Sequence, residues 1–138
     1  MKKFCFVIIT IILFLCTGCR TKFRFQHNTS EIETIEIIQI ESIIPPSFEI
    51  LSIVDSKEGF LKEFSLIDCY TKTPPSGINI GEIAIRIMYN NGDYDLIAKS
   101  GQSRYANGDY DWYDGHWSFD EIEFDALIKK YTQSNNVE

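Results

Sequence analysis

Basic side chains are scarce in most of this 138-residue chain. Residues 31–138 hold eight Lys or Arg against twenty Asp or Glu, a formal balance of −12. The other five cations all lie in residues 1–30, which contain no acid: Lys2, Lys3, Arg20, Lys22 and Arg24. Because a body with that charge repels phosphate backbones, the sequence predicts that nucleic acid is not a partner.

Cysteine is equally scarce beyond the first 30 residues, where Cys69 is the only one. A single thiol cannot form an intramolecular disulfide, so the body must be stabilised by its core. Hydrophobic residues make up 44% of the chain, which is enough for one folded domain. A glycine-rich phosphate loop, zinc-ligand spacing and a nucleophile elbow are also missing from the sequence. We therefore predict no cofactor, no metal site and no enzymatic activity.

The longest apolar run is too short to cross a membrane. Residues 4–16 are apolar except for Thr10, whereas a spanning helix needs about 20 such residues. The run fits the core of a secretory signal peptide. The next segment, Leu15-Cys16-Thr17-Gly18-Cys19, resembles a bacterial lipobox, although Cys16 stands where leucine is usual.

The lipobox resemblance implies cleavage before Cys19 and attachment of a diacylglycerol to its thiol, which would anchor the chain to the cell membrane on its extracytoplasmic face. Two acyl chains suffice for stable anchoring. We expect a signal peptide over 1–18, a lipidated cysteine and basic tether over 19–30, one α+β domain over 31–133 and a frayed tail over 134–138. His27, within the tether, is expected to be solvated. The alternatives are an ordinary cleaved signal peptide or an uncleaved anchor helix.

Alternating isoleucines predict a strand over residues 31–44, with a β-bulge where the alternation changes phase at Ile37-Ile38. A second strand is predicted over 48–54, and its pairing with the first is left open. Asp55 begins a capping-box pattern, which predicts a helix over 56–65, followed by a short strand over 67–71. A second capping box at Asp120 and Glu123 predicts a helix over 121–132.

Two similar segments lie between these helices. Residues 89–95 and 105–111 agree at six of seven positions, and each contains Asn-Gly-Asp-Tyr-Asp. Two-residue Asn-Gly turns predict that Tyr89 pairs with Tyr94 and Tyr105 with Tyr110, and a turn at residues 100–101 places Leu96 opposite Tyr105. The predicted fold is α+β: an antiparallel sheet of about six to seven strands, ending in a four-stranded meander, with two helices packed on one face in the order ββαββββα.

Alternate turns of a meander lie at the same end of the sheet. The two similar turns would therefore gather Asp93, Asp95, Asp109 and Asp111 into an acidic rim that could bind a ligand. The alternative interpretation is ordinary hairpin chemistry, in which Arg86 lies diagonal to Asp95 and Arg104 opposite Asp111, so that ion pairs form across the strands.

Several patterns resemble a family of small bacterial lipoproteins with an α+β domain of unknown function. They are Phe60…Phe64-Ser65, Ile67-Asp68-Cys69-Tyr70, Pro74-Pro75, Tyr89-x-Asn91-Gly92-Asp93-Tyr94 and Phe119-Asp120-x-x-x-Phe124-x-x-Leu127-Ile128. The resemblance covers residues 55–132. It implies the architecture and no activity.

We interpret the chain as a membrane-anchored binding module without catalytic activity, which contacts a protein, a peptide or a glycan. An immunity or inhibitor lipoprotein is one specific form of such a module. One alternative is a small hydrolase or thiol enzyme that uses Cys69 and His116, the only nucleophile and base on offer. Another is a structural accessory of an envelope complex.

Overall fold

A computed structural model describes residues 22–71, 77–111 and 117–133. Within them the fold is α+β, as predicted, with antiparallel strands and two helices. The strands are β1 (Ile32–Ile43), β2 (Pro46–Ile53), β3 (Cys69–Thr71), β4 (Ile83–Tyr89), β5 (Tyr94–Ala98), β6 (Gln102–Ala106), β7 (Asp109–Asp111) and β8 (Trp117–Phe119). The helices are α1 (Lys57–Phe64) and α2 (Glu121–Gln133), and a short 3-10 turn, Thr29–Glu31, precedes β1.

The strand order differs from the predicted ββαββββα. Six strands form one antiparallel sheet in the order β2-β1-β4-β5-β6-β7. The predicted short strand after α1 is β3, and it pairs with β8 in a separate two-stranded sheet. Sequence analysis missed β8 because a three-residue strand has too little alternation to be recognised.

The first two strands form a hairpin, which resolves the pairing that the sequence left open. Ile37 lies opposite Ser52 and Ile38 opposite Ile50, so the register shifts between them. This shift confirms the predicted bulge at Ile37-Ile38.

The first Asn-Gly turn is one residue longer than predicted. Of its two central residues only Gly92 has a positive φ, and the Asn91 side chain accepts a hydrogen bond from the Asp93 backbone N–H at 3.0 Å. The turn is thus closed by an Asx-type contact and a bulge instead of a two-residue type I′ geometry. Met88, not Tyr89, lies opposite Tyr94. Since a one-residue slip exchanges the two faces of a strand, the predicted facing of β4 against β5 was wrong.

The second Asn-Gly turn has the predicted geometry. Asn107 and Gly108 both have positive φ values, of 54° and 85°, and Tyr105 lies opposite Tyr110. The intervening turn is shifted by two residues, so Leu96 lies opposite Ser103 instead of Tyr105. An even shift preserves the faces, and β5, β6 and β7 keep their predicted relative orientation.

Both helices pack on one face of the six-stranded sheet. Phe60 and Phe64 of α1 and Phe124, Leu127 and Ile128 of α2 share a buried cluster with the isoleucines at 35, 37, 85, 87 and 97. The Phe119 and Phe124 rings, with centroids 5.5 Å apart, form a hydrophobic staple at the start of α2.

The helix caps differ in detail from the predicted capping boxes. Ser56, not Asp55, caps α1, and its hydroxyl accepts a hydrogen bond from the Gly59 N–H. Asp120 caps α2 as predicted, by accepting from the Glu123 N–H at 3.0 Å. The Glu123 carboxylate does not bond back to residue 120 and instead accepts from the Asp68 N–H.

The opposite face of the sheet has its own apolar cluster. Ile38, Ile40, Ala84, Leu96 and Ala98 are fully buried there. Both faces of β1 are therefore buried: Ile35 and Ile37 lie in the helix-side cluster, and Ile38 and Ile40 lie in the cluster on the opposite face. Neither helix within residues 22–71, 77–111 and 117–133 has the length and hydropathy that crossing a membrane requires.

Candidate functional site

Asp95 is the most deeply buried of the four predicted rim aspartates, with 1% of its surface exposed. It lies on the helix-side face because of the register slip in the first hairpin. Its carboxylate accepts hydrogen bonds from the Tyr89 hydroxyl at 2.6 Å, the Gln26 backbone N–H at 2.9 Å and the Arg104 Nε at 3.2 Å. Burial raises the pKa of the Asp95 carboxyl, and the hydrogen bonds from Tyr89 and Gln26 act against that rise.

Asp93 closes the turn in which it lies. Its carboxylate contacts His27 Nε2 at 2.8 Å, the Asn91 amide at 2.8 Å and the Asn107 backbone N–H at 3.2 Å. The contact with Asn107 confirms that the two Asn-Gly turns lie together at one end of the sheet. The hydrogen bond from His27 holds the pKa of the Asp93 carboxyl below its usual value.

The N-terminal segment, residues 22–31, binds to these two aspartates. Gln26 reaches Asp95 and the Tyr105 carbonyl, and the guanidinium of Arg104 donates to the carbonyl of Arg24. His27 packs edge-on against the Tyr89 ring, with centroids 4.8 Å apart.

The same segment contributes to the helix-side core. Phe23 contacts the rings of Phe64, Trp117 and Phe119 at 5.8 to 6.1 Å. Where the sequence led us to expect a tether and a solvated histidine, this part of the chain lies against the body. This packing could not be predicted from the sequence, because Phe23 and Phe25 lie in a polar segment without the periodicity of a helix or a strand.

Asp109 and Asp111 lie in the edge strand β7 and are exposed. Asp109 accepts a hydrogen bond from the backbone N–H of Tyr110, and Asp111 lies opposite Arg104, as predicted. The structure therefore does not gather the four aspartates into one rim. Among the residues described, no three His, Cys, Asp or Glu side chains come together as a metal site.

An aromatic cluster lies on the sheet face away from the helices, where one of its three tyrosines is buried and its other members are half-buried. We call it the tyrosine face and define it by Phe48, Arg86, Tyr94, Tyr105 and Tyr110. Tyr94 and Tyr105 stack with centroids 4.9 Å apart, and Tyr110 contacts both of them at 5.7 and 4.9 Å. Burial raises the pKa of the Tyr110 phenol to about 12, so its hydroxyl stays protonated in mildly alkaline as well as neutral solution.

Arg86 is held at the centre of the tyrosine face. Its guanidinium lies 5.1 Å from the centre of the Phe48 ring and 5.7 Å from that of Tyr94. The Glu36 carboxylate accepts from both its Nε and its Nη2. Arg86 was expected to pair with Asp95, and that expectation was wrong because the register slip places the two on opposite faces.

Two aromatic rings meet across the tyrosine face. Phe48 and Tyr94 lie on β2 and β5, which are three strand spacings apart, or about 14 Å in a flat sheet. Their ring centroids are only 6.3 Å apart, so the two side chains meet above the strands between them, where both contact Arg86. The floor includes Ser103, a fully buried residue whose hydroxyl has no hydrogen-bond partner in the described part of the chain.

Cys69 is buried in β3, and burial raises the pKa of its thiol to about 11. A thiol with that pKa stays protonated at neutral pH, whereas the thiolate is the nucleophile. His116, the base in the thiol-enzyme alternative, lies outside the described residues.

Comparisons with protein-family models, curated proteins and solved structures give no match for this chain.

Proposed function

We propose that the protein is a lipid-anchored, extracytoplasmic binding module that presents the tyrosine face to a protein partner. Cys19 supplies the anchor, as the lipobox resemblance implies. The single observation that carries the proposal is that the N-terminal segment and the tyrosine face lie on opposite sides of the sheet. The segment leading to Cys19 lies on the helix side of the sheet, and the tyrosine face lies on the other.

The composition of the tyrosine face supports a protein partner. Tyrosine and arginine are the residues most often found at the energetic centres of protein interfaces. Their side chains are already packed against one another here, because Tyr94 and Tyr105 stack, Tyr110 contacts both rings, and Arg86 is held by Glu36 and two rings. Ordered side chains lose little conformational entropy on binding. The −12 balance of residues 31–138 favours a partner with a basic surface and an association that weakens as salt is added.

The anchor is tested by fractionating cells that express the full chain. Cys19→Ser removes the thiol that would carry the lipid, so we expect the protein to leave the membrane fraction. Cys5→Ser, in the apolar run outside the lipobox, is the matched control and should leave the protein in that fraction. Retention of the Cys19→Ser chain in membranes would exclude lipid anchoring at this residue.

The binding surface is tested by affinity purification of the tagged full chain from membranes in mild detergent. We expect a stoichiometric protein to copurify with the unchanged chain and to be lost from Tyr105→Ser/Tyr110→Ser. Ile44→Ser removes an exposed apolar side chain from the β1–β2 turn, and it should not affect copurification. If both variants keep the partner, the tyrosine face is not the contact surface.

A further inference from the structure

The N-terminal segment enters the body at a defined place. Lys22, the first described residue, lines an apolar cavity of about 140 Å³ together with Phe64, Ser65, Ile67 and Cys69. The described part of the chain therefore begins beside the C-terminal end of α1 and the start of β3.

Three exposed apolar side chains belong to the chain segments near this place. Leu66, which is 72% exposed, lies between two cavity-lining residues, and Tyr70, which is 41% exposed, follows a third. Ile122 is 82% exposed and lies in the first turn of α2, beside Glu123, whose carboxylate accepts from the Asp68 N–H. We call Leu66, Tyr70 and Ile122 the exit patch.

Chain length fixes how far the exit patch can stand from an anchored Cys19. Two residues lie between Cys19 and Lys22, and the three Cα–Cα steps of a fully extended chain cover at most about 11 Å over that interval. The body cannot drift further, because Phe23 and Gln26 hold the segment to it. An anchor at Cys19 therefore keeps this end of the body close to the lipid headgroups.

We propose that the exit patch rests on the lipid bilayer, and this inference depends on the proposed anchoring at Cys19. Leucine and isoleucine side chains insert into the boundary between headgroups and acyl chains, where tyrosine is also enriched. The contact fixes the orientation of the body, with the helix side towards the bilayer and the tyrosine face away from it.

The charges around the exit patch are of both signs. Lys22 and Lys62 lie on the α1 side, and Asp68, Glu121 and Glu123 lie near the start of α2. Glu123 is held by the Asp68 N–H, and acids in a first helical turn interact favourably with the helix dipole. The mixed charge fits a zwitterionic surface, so the contact depends on apolar insertion and is expected to change little with salt.

The test uses the lipidated full chain, with the lipid on Cys19 verified by mass spectrometry, in phosphatidylcholine vesicles. A nitroxide label is attached to Leu66→Cys, to Ile122→Cys and, as a control, to Ile44→Cys in the β1–β2 turn. Ile44 is 87% exposed and lies in the turn at the β2 edge of the sheet. The N-terminal segment contacts β6, which lies next to the opposite edge. Collision rates with oxygen and with a water-soluble nickel chelate report whether each label contacts lipid or water.

We expect the labels at 66 and 122 to show several-fold higher oxygen-to-nickel collision ratios than the label at 44. If the lipid is present and all three labels report water, the body stands away from the bilayer and the exit patch is not a lipid contact. A lipid signature at 44 would equally overturn the proposed orientation. If mass spectrometry finds no lipid on Cys19, the anchoring proposal fails, and this inference fails with it.

Discussion

The two Asn-Gly-Asp-Tyr-Asp segments are nearly identical in sequence and differ in the burial and the contacts of their aspartates. In the first, Asp93 and Asp95 bind the N-terminal segment, and Asp95 is fully buried. In the second, Asp109 and Asp111 are exposed on an edge strand. The difference arises from position in the sheet: β5 has a strand on each side and a covered face, whereas β7 is at the edge.

The largest expected effect comes from Asp95. Asp95→Ala leaves the Tyr89 hydroxyl and the Gln26 N–H without their acceptor, and each unsatisfied buried group costs about 1–3 kcal/mol. We expect the free energy of unfolding in urea to fall by about 3 kcal/mol. The equivalent change in the second segment, Asp111→Ala, should cost about 0.5 kcal/mol or less, as is usual for exposed sites. Equal losses for the two variants would contradict the contrast between the segments.

A smaller effect is expected from Asp93. Asp93→Ala removes the acceptor of His27, the Asn91 amide and the Asn107 N–H, and we expect a loss of about 1–2 kcal/mol at neutral pH. Asp109→Ala is the matched control, with an expected change of about 0.5 kcal/mol or less. Limited proteolysis should also cut the N-terminal segment faster in Asp93→Ala. Unchanged cleavage would mean that His27 does not help to hold the segment.

The contributions of Asp93 and Asp95 to the free energy of unfolding should change in opposite directions as the pH falls. The pKa of Asp93 lies below its ordinary value of 3.8, so its contribution is present above that pH and is lost as the pH falls through the lowered pKa. The pKa of Asp95 is raised by burial, so its contribution grows as the pH falls through the raised pKa. We expect the unfolding free energy of Asp93→Asn to fall less steeply between about pH 4 and pH 2 than that of the unchanged chain. The same slope in both would show that Asp93 is not coupled to folding.

The smallest expected effect concerns the two turns. Asn91→Gly removes the contact from the Asn91 side chain to the Asp93 N–H, which should cost about 0.5–1.5 kcal/mol. Asn107 has a positive φ of 54°, a conformation that glycine adopts readily, so Asn107→Gly should change stability by about 0.5 kcal/mol or less. Thermal unfolding of the two variants compares them directly. A larger loss for Asn107→Gly would contradict the assignment of the two turn types.

Features that depend on local residue spacing could be predicted from the sequence. The bulge at Ile37-Ile38, the Asp120 cap and the Tyr105–Tyr110 pair all follow from local spacing. The facing of β4 against β5 could not be predicted in the same way. Two turns with the same Asn-Gly letters close differently, because in one of them the asparagine side chain bonds to the following backbone.

The candidate site was predicted less well than the fold. The acidic rim rested on the wrong register, so it included Asp95, which the structure buries. The tyrosine face was not recognised as a candidate site, because the approach of Phe48 to Tyr94 is a tertiary contact between strands that are not neighbours in the sheet. The packing of Phe23 depends equally on tertiary contacts with Phe64 and Phe119.

The central claim is that the two sides of the sheet face different surroundings, and one paired experiment in cells tests it most directly. The photo-crosslinking amino acid p-benzoylphenylalanine replaces Tyr110 in one full-length variant and Leu66 in another. After irradiation, we expect the label at 110 to yield an adduct with a protein and the label at 66 to yield an adduct with lipid. A lipid adduct at 110, or a protein adduct at 66 with none at 110, would contradict the account.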